Sequence, residues 1–285
     1  MGKCGARRRV SVVNGIFYPD NRETLIKQLH SWGLKEGSDT PSVGGQIIIA
    51  PHGAWDISGN IAGAAFASVQ GNDPEPKEPE LREISRVIML GPCHGPCEQG
   101  IYLSESDSFQ TPLGDLPIDR NLNIKLASCS TLSRVNDIPH LSEHSLEVLL
   151  PLVKYCFPGA KIVPILVSGN RPVIISGLAR TLKVILETYM EESLLVISSN
   201  VSRSPDPALA LSMADEFCSI LSGMDTNAFF ASIGGRRISA CGGAIIAALF
   251  ESGLLEGKCF SALTPLIHSA GEDGQTICYG AFACH

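Results

Sequence analysis

The sequence predicts an α/β protein with a mixed, largely parallel central sheet flanked by helices, forming one domain over residues 1–285. Short apolar runs alternate along the chain with segments whose apolar residues recur at helical spacing. This strand–helix–strand order favours parallel pairing. Hydrophobic residues make up 44% of the chain and charged residues 18%, which is typical of a globular protein with a substantial core.

The predicted elements follow in order along the chain. Strands are expected at 46–51, 87–92, 161–167, 194–199, 260–266 and 276–284. Helices are expected at 58–70, with Ser58 as its N-cap, and at 144–157, 173–187, 207–221 and 241–253. The proline-rich stretch 71–79 predicts a surface excursion, and the turn residues within 101–118 predict a hairpin-like insertion.

Composition excludes several classes of function. The net charge is −7, so a nucleic-acid partner is not expected. The basic run at residues 7–9 is interpreted as part of a flexible, solvated arm covering residues 1–9. No apolar stretch is long enough for a membrane span, and the N-terminus lacks a signal-peptide core. Ten cysteines in such a chain indicate reduced thiols and a cytoplasmic location.

Polar residues follow three of the predicted strands at the point where each strand ends. His52 follows the first, His94 the second and Asn200 the fourth. Ligands and metals bind beyond the carboxyl ends of strands in α/β sheets, so these side chains are expected to share a crevice. Two histidines delivered by separate strands predict a metal site, although His52 alone is equally compatible with a loop hydrogen bond.

Cys241 is the candidate third ligand. It opens a predicted apolar helix and follows two arginines, an environment that favours the thiolate, which is both a metal ligand and a nucleophile. Thiolate and imidazole donors together suit copper, iron or zinc, and three protein ligands leave one position free for exchange. The alternative is an ordinary buried cysteine before a Gly–Gly turn.

Two other hypotheses, both for zinc sites, have less support from the sequence. Cys93, His94 and Cys97 lack the fourth protein ligand that structural zinc usually has. The letters His140-x-x-Glu143-His144 match an inverted zincin pattern, but that motif needs a mid-helix position, and the proline and serine around it argue against one. Glu143 or His144 is instead expected to form a polar wall of the crevice or to orient an imidazole.

Taken together, the chain resembles the Memo family, named for a mediator of cell motility, and its bacterial and archaeal relatives. The resemblance covers nearly the whole chain and rests on ordered segments: Asn14–Pro19, Ile49–Trp55, Leu90–His94, Thr111–Asp115, Glu143–Glu147, Ile162–Val167, Val196–Ser199, Cys241–Gly242 and Cys278–Gly280.

The resemblance implies a fold shared with class III extradiol dioxygenases. It also implies a metal pocket of two histidines and a cysteine, which by motif are His52, His94 and Cys241. Copper or iron is the implied metal, in preference to zinc, with redox chemistry as an oxidoreductase.

The chain departs from the family pattern at the fourth predicted strand. Asn200 and Arg203 stand where the family has an aspartate and a histidine, the latter being the acid–base candidate in the dioxygenases. An arginine cannot act as a general base at neutral pH, but it can bind a carboxylate or phosphate, so Arg203 is expected to face the pocket. This motivates an alternative function: a catalytically silent module that binds a peptide or small anion. Hydrolysis at a zinc site, with Glu143 as base, ranks last.

Overall fold

The computed structural model describes residues 6–37, 46–70, 84–253, 255, 257–271 and 273–284, so the predicted excursion at 71–79 lies outside the described residues. The strands are β1 (Arg8–Arg9), β2 (Ile47–Ala50), β3 (Arg86–Pro92), β4 (Gly100–Leu103), β5 (Ser108–Phe109), β6 (Leu116–Pro117), β7 (Ser133–Val135), β8 (Lys161–Ser168), β9 (Ser193–Ser198), β10 (Ser202–Ser204), β11 (Phe260–Ala262), β12 (Ile267–Ala270), β13 (Thr276–Tyr279) and β14 (Phe282–Cys284). The helices are α1 (Arg22–Ser31), α2 (Asn60–Ala67), α3 (Arg120–Ala127), α4 (Leu150–Cys156), α5 (Pro172–Thr188), α6 (Pro207–Gly223), α7 (Thr226–Gly234) and α8 (Gly243–Glu251).

An eight-stranded mixed sheet forms the centre of the fold, in the order β11-β14-β2-β9-β3-β8-β4-β7. The four central strands, β2, β9, β3 and β8, run parallel to one another, whereas β14 and β4 pair antiparallel on either side. The predicted α/β class with a mixed sheet is therefore confirmed. The three strands whose ends carry the candidate polar residues are direct neighbours.

Helices cover both faces of this sheet. In β2, Ile47 and Ile49 belong to the core that includes α5 and α8, whereas Ile48 and Ala50 belong to the core that includes α2 and α4. This alternation follows from the two-residue period of a strand. Among the described residues, no helix combines the length and the apolar character needed to cross a membrane.

Two predicted helix starts are wrong. The segment predicted to begin at His144 becomes helical only at Glu147, as a short 3₁₀ turn leading into α4. The Glu143 carboxylate accepts hydrogen bonds from the backbone N–H groups of His94 and Ser145, and this holds the chain in an irregular loop. Ser58 is not an N-cap, because a π-helical turn already begins at Trp55.

The basic run near the N-terminus is only partly a solvated arm. Residues 1–5 lie outside the described residues, but β1 pairs with β5, and Arg9 is 3% exposed. Its guanidinium forms a 2.6 Å ion pair with buried Glu147. The expectation of a flexible arm is thus wrong for Arg9, because a buried carboxylate neutralises it.

The insertion and the last predicted strands divide between sheets. Within 101–118, β4 joins the main sheet, and only β5 and β6 form the expected hairpin-like pair. The stretch predicted as one strand at 276–284 splits into β13, which pairs with β10 and β12, and β14, which pairs with β2. At the break, a Cβ added to Gly280 would lie 2.7 Å from Leu266.

Candidate metal centre

The carboxyl ends of β2, β9 and β3 position the candidate site. His52 follows β2, His94 follows β3, and Asn200 follows β9, which lies between those strands. The Asn200 side-chain oxygen accepts the backbone N–H of His52 at 3.2 Å, so the ends of β2 and β9 are tied together. The predicted convergence of the strand ends is confirmed.

Three histidines meet above these strand ends. His52, His94 and His144 each offer a ring nitrogen, and these atoms all lie within 4.8 Å of one another. The ring centroids are 5.1 Å apart for His52–His94, 5.0 Å for His94–His144 and 5.8 Å for His52–His144. We call these three residues the histidine cluster. Within the described part of the chain, it is the group of side chains placed to hold a metal ion.

His52 presents one ring nitrogen without a partner. Its Nδ1 lies 2.7 Å from the Ser198 hydroxyl, which itself donates to the Ser145 carbonyl. The hydroxyl must therefore accept from Nδ1–H, and this leaves Nε2 unprotonated. That Nε2 atom is buried and makes no hydrogen bond within the described residues. Burial, followed by the neighbouring histidines, holds the pKa of His52 well below its ordinary value, so the ring is neutral.

His94 is oriented by Glu143. Its Nδ1 lies 2.9 Å from the Glu143 carboxylate, the arrangement commonly found behind metal-binding histidines. Burial alone would lower the pKa of His94, but hydrogen bonds to Cys241 and Glu143 outweigh it and raise the value to about 9. Burial would raise the pKa of Glu143, but hydrogen bonds from His94 outweigh that effect and lower it to about 2.

His144 reaches the cluster from the irregular loop before α4. Its Nδ1 lies 3.4 Å from the Glu143 carboxylate, and its ring packs edge-on against Phe17 at 5.1 Å. Burial lowers the pKa of His144 below its ordinary value. The sequence suggested this residue as a polar wall, and the structure places it among the potential ligands.

Cys241 lies beside the histidine cluster, two residues before α8. Its backbone N–H bonds to the Asn200 carbonyl at 3.3 Å, and the next N–H bonds to the Ser199 hydroxyl at 2.8 Å, so the end of β9 fixes this turn. Cys241 lines the same cavity as His94, but its thiol does not join the group of donors within 4.8 Å.

Glycine at position 53 permits the close packing expected around His52. A Cβ there would lie 2.7 Å from the Ser58 hydroxyl and 2.8 Å from the Tyr279 ring, which is closer than side-chain atoms pack. The turn after β2 can therefore fold tightly only with glycine at this position.

Arg203 does not line the crevice. Its side chain is 47% exposed and pairs with Asp273, and its backbone N–H donates to Ser239. The expectation that this arginine faces the pocket is wrong, because β10 turns its side chain toward the opposing acidic residue.

The two zinc alternatives gain no structural support. Cys93 and Cys97 do not complete a three-ligand group with His94 among the described residues. The fully buried His140 bonds through Nε2 to the Tyr102 carbonyl at 3.1 Å instead of pointing to the cluster. All the cysteines that the structure describes are free thiols.

Ser198 is the functional residue that the sequence analysis missed. It is a fully buried polar residue that ends a strand with an apolar interior, and this is the pattern that could have revealed it. Its hydroxyl fixes the proton of His52.

Comparisons with known proteins match nearly the whole chain. The family model described as "Memo-like protein" matches residues 9–266. A MEMO1 family protein of Thermotoga neapolitana is 24% identical over 280 residues, covering 94% of this chain and 95% of that protein. A MEMO1 family protein of Desulfurococcus amylolyticus is 28% identical over 259 residues, covering 86% of this chain and 87% of that protein. A solved structure described as uncharacterized protein JW3007 from Escherichia coli K12 superposes with a TM-score of 0.48 at 10% identity. The superposition covers 84% of this chain and 98% of that chain. This likeness is too distant to bear on function.

Proposed function

The chain belongs to the Memo-like protein family, and from this premise we propose that it binds one transition-metal ion on the side of the histidine cluster formed by His52 and His94. The observation that carries the proposal is the buried Nε2 of His52, which has no hydrogen-bond partner among the described residues. A buried polar atom without a partner is costly unless it has a ligand to bind. His94 and His144 surround this nitrogen with further donors.

We propose His52, His94 and Cys241 as the ligands. Both imidazoles have Nδ1 engaged by a protein group, Ser198 for His52 and Glu143 for His94, as metal-binding histidines almost always do. Cys241 lines the same cavity as His94 and supplies a soft donor. His144 is the competing third ligand, since its nitrogen lies within 4.8 Å of the other two imidazoles. Its Nδ1 is 3.4 Å from Glu143, farther than the 2.9 Å contact that orients His94.

The donor set suits copper, iron or zinc, and the resemblance to the Memo family favours copper or iron. Thiolate and imidazole together select soft or borderline metals, and a site with three protein ligands keeps a position open for exchange. When bound, such an ion would supply one-electron redox chemistry. Oxidoreductase activity is therefore the enzymatic function that this site supports best.

The side chains around the ion would control protons and water. His52 is 2% exposed, so bulk water is kept from one side of the site. Glu143 holds the Nδ1 proton of His94 and thereby directs the other nitrogen into the site. His144 has a lowered pKa and is neutral near pH 7, so its ring can accept a proton from a bound substrate.

A non-catalytic module that binds a small anion is the second candidate. Arg203 cannot support it, because its guanidinium pairs with Asp273. A different arginine, Arg236, lines the cavity beside His94, and this observation keeps anion binding under consideration.

Metal analysis of purified variants tests the proposal. His52→Ala and Cys241→Ala are expected to lose the bound ion, whereas His144→Ala keeps it. His268→Ala, in an exposed strand, and Cys218→Ala, on α6, are matched controls that should bind normally. Undiminished stoichiometry in both His52→Ala and Cys241→Ala refutes the metal function. Loss in His144→Ala but not in Cys241→Ala would keep the metal and replace the third ligand.

A further inference from the structure

A cavity of about 380 Å³ opens beside the metal centre. His94 and Cys241 are among the lining residues, together with apolar side chains (Val167, Ile233, Ile238 and Ala244) and polar ones (Asn170 and Ser239). This size is at the lower end of the range for small-molecule sites. The cavity therefore suits a compact ligand that carries both apolar and polar groups.

Arg236 contributes the permanent positive charge to this cavity, and none of the lining residues is acidic. Its side chain is exposed and makes no hydrogen bond or ion pair within the described residues. The neighbouring Arg237 differs, because it pairs with Glu216 at 3.3 Å and donates to Ser232 at 3.0 Å. One of two adjacent arginines is thus held in place by protein groups, while the other is available to a ligand.

The backbone at Arg236 is unusual for an arginine. Its φ is 55°, in the left-handed region, at the position after the C-cap Gly235 of α7. Its N–H bonds to the Ile233 carbonyl at 3.1 Å, and the N–H of Arg237 bonds to Ser232 at 2.8 Å. These two bonds form a Schellman ending, in which glycine is the usual residue at this position. A strained non-glycine residue beside a cavity is a reason to suspect a functional role.

We propose that Arg236 binds the carboxylate of a small organic acid whose body fills the cavity and whose other end reaches His94 and Cys241. A planar guanidinium matches a carboxylate through two parallel hydrogen bonds. The inference rests on the proposed metal function only for the contact of the ligand with His94 and Cys241. Carboxylate binding by Arg236 does not depend on the ion. The size of the cavity excludes a folded partner.

Calorimetric titration with benzoate, benzamide and phenyl phosphate tests the proposal, using both the metal-free and the zinc-loaded protein. Benzoate should bind the metal-free protein, and benzamide should bind at least ~10-fold more weakly, because it lacks the charge that strengthens the hydrogen bonds. Arg236→Gln should lose at least ~10-fold in benzoate affinity, whereas the matched control Arg237→Gln should stay within ~2-fold. Zinc binding should be unchanged in Arg236→Gln, so failure of the carboxylate site is distinguishable from failure of the metal site.

Several outcomes would overturn the proposal. These are equal affinity for benzoate and benzamide, tighter binding of phenyl phosphate than of benzoate, no benzoate binding at all, or unchanged benzoate affinity in Arg236→Gln. Arg236→Gly provides a second readout that misfolding cannot imitate. It should melt no lower than the wild type, because glycine suits the left-handed backbone, and yet lose benzoate binding. A glycine variant that keeps full benzoate affinity contradicts the proposal.

Discussion

Replacing Arg9 should destabilise the protein far more than replacing its neighbour Arg8. Arg9→Met keeps the apolar stem of the side chain and removes the guanidinium. The lost contacts are the 2.6 Å ion pair with Glu147 and the hydrogen bonds to the carbonyls of His140 and Glu143, at 2.6 Å and 2.8 Å. These acceptors lie at either end of the loop that carries His144.

The expected loss in free energy of unfolding follows from burial. Both side chains of the pair are nearly inaccessible, 2% exposed for Arg9 and 1% for Glu147. Glu147 retains hydrogen bonds from the N–H groups of Val12 and Val13 and from the Tyr18 hydroxyl, so its charge is only partly compensated. Breaking a buried pair in this way costs about 3–5 kcal/mol. For a domain of this size, that corresponds to a fall in Tm of roughly 10 °C.

Thermal and urea unfolding of three variants provide the assay. Arg8→Met is the matched control, because its ion pair with Asp115 is exposed and worth about 0–1 kcal/mol. The double variant Arg9→Met/Glu147→Gln should recover part of the loss, since it leaves no unpaired buried charge and an amide oxygen can still accept from Val12, Val13 and the Tyr18 hydroxyl. The reasoning is refuted if Arg9→Met is no less stable than Arg8→Met.

Three further predictions concern the site and its surroundings. Glu143→Gln should weaken metal binding by about 10–100-fold, because His94 loses the carboxylate that orients it. Competition with a chelator measures this affinity, and an unchanged value would show that the contact between Glu143 and His94 is incidental. Ser198→Ala should also weaken metal binding, by about 10-fold, because the Nδ1 proton of His52 loses its acceptor, and an unaltered dissociation constant would argue against His52 as a ligand. Burial lowers the pKa of His140 to about 4 in the folded protein, against about 6.5 in the unfolded chain. The folded state therefore gains free energy of unfolding from the neutral ring above about pH 6.5, and this gain is lost as the pH falls to about 4. The wild type should therefore lose about 3 kcal/mol more than His140→Gln between pH 7 and pH 4 in urea unfolding, and parallel losses in both proteins would contradict this assignment.

The sequence was sufficient to predict the parts of the site that depend on local pattern and sheet topology. His52 and His94 follow apolar strands, and parallel strands bring their carboxyl ends to one edge, so their convergence could be predicted without coordinates. Cys241 could be placed near them only by resemblance to a family. The structure then shows why it lies there, since Asn200 and Ser199 hold its turn.

The remaining features depend on contacts that no local pattern reveals. Glu143 and His94 are 49 residues apart in the chain, and Arg9 and Glu147 are 138 apart. An arginine in a basic run looks solvated until its buried partner is known. The irregular conformation around His144 has the same origin, because apolar spacing predicts a helix there and the long-range bonds to Glu143 prevent it.

Anomalous diffraction from crystals of the metal-loaded protein tests the central claim most directly. The account predicts one ion about 2.0–2.3 Å from Nε2 of His52, Nε2 of His94 and Sγ of Cys241. An ion bound elsewhere on the chain, with Nε2 of His52 left without a ligand, would contradict it.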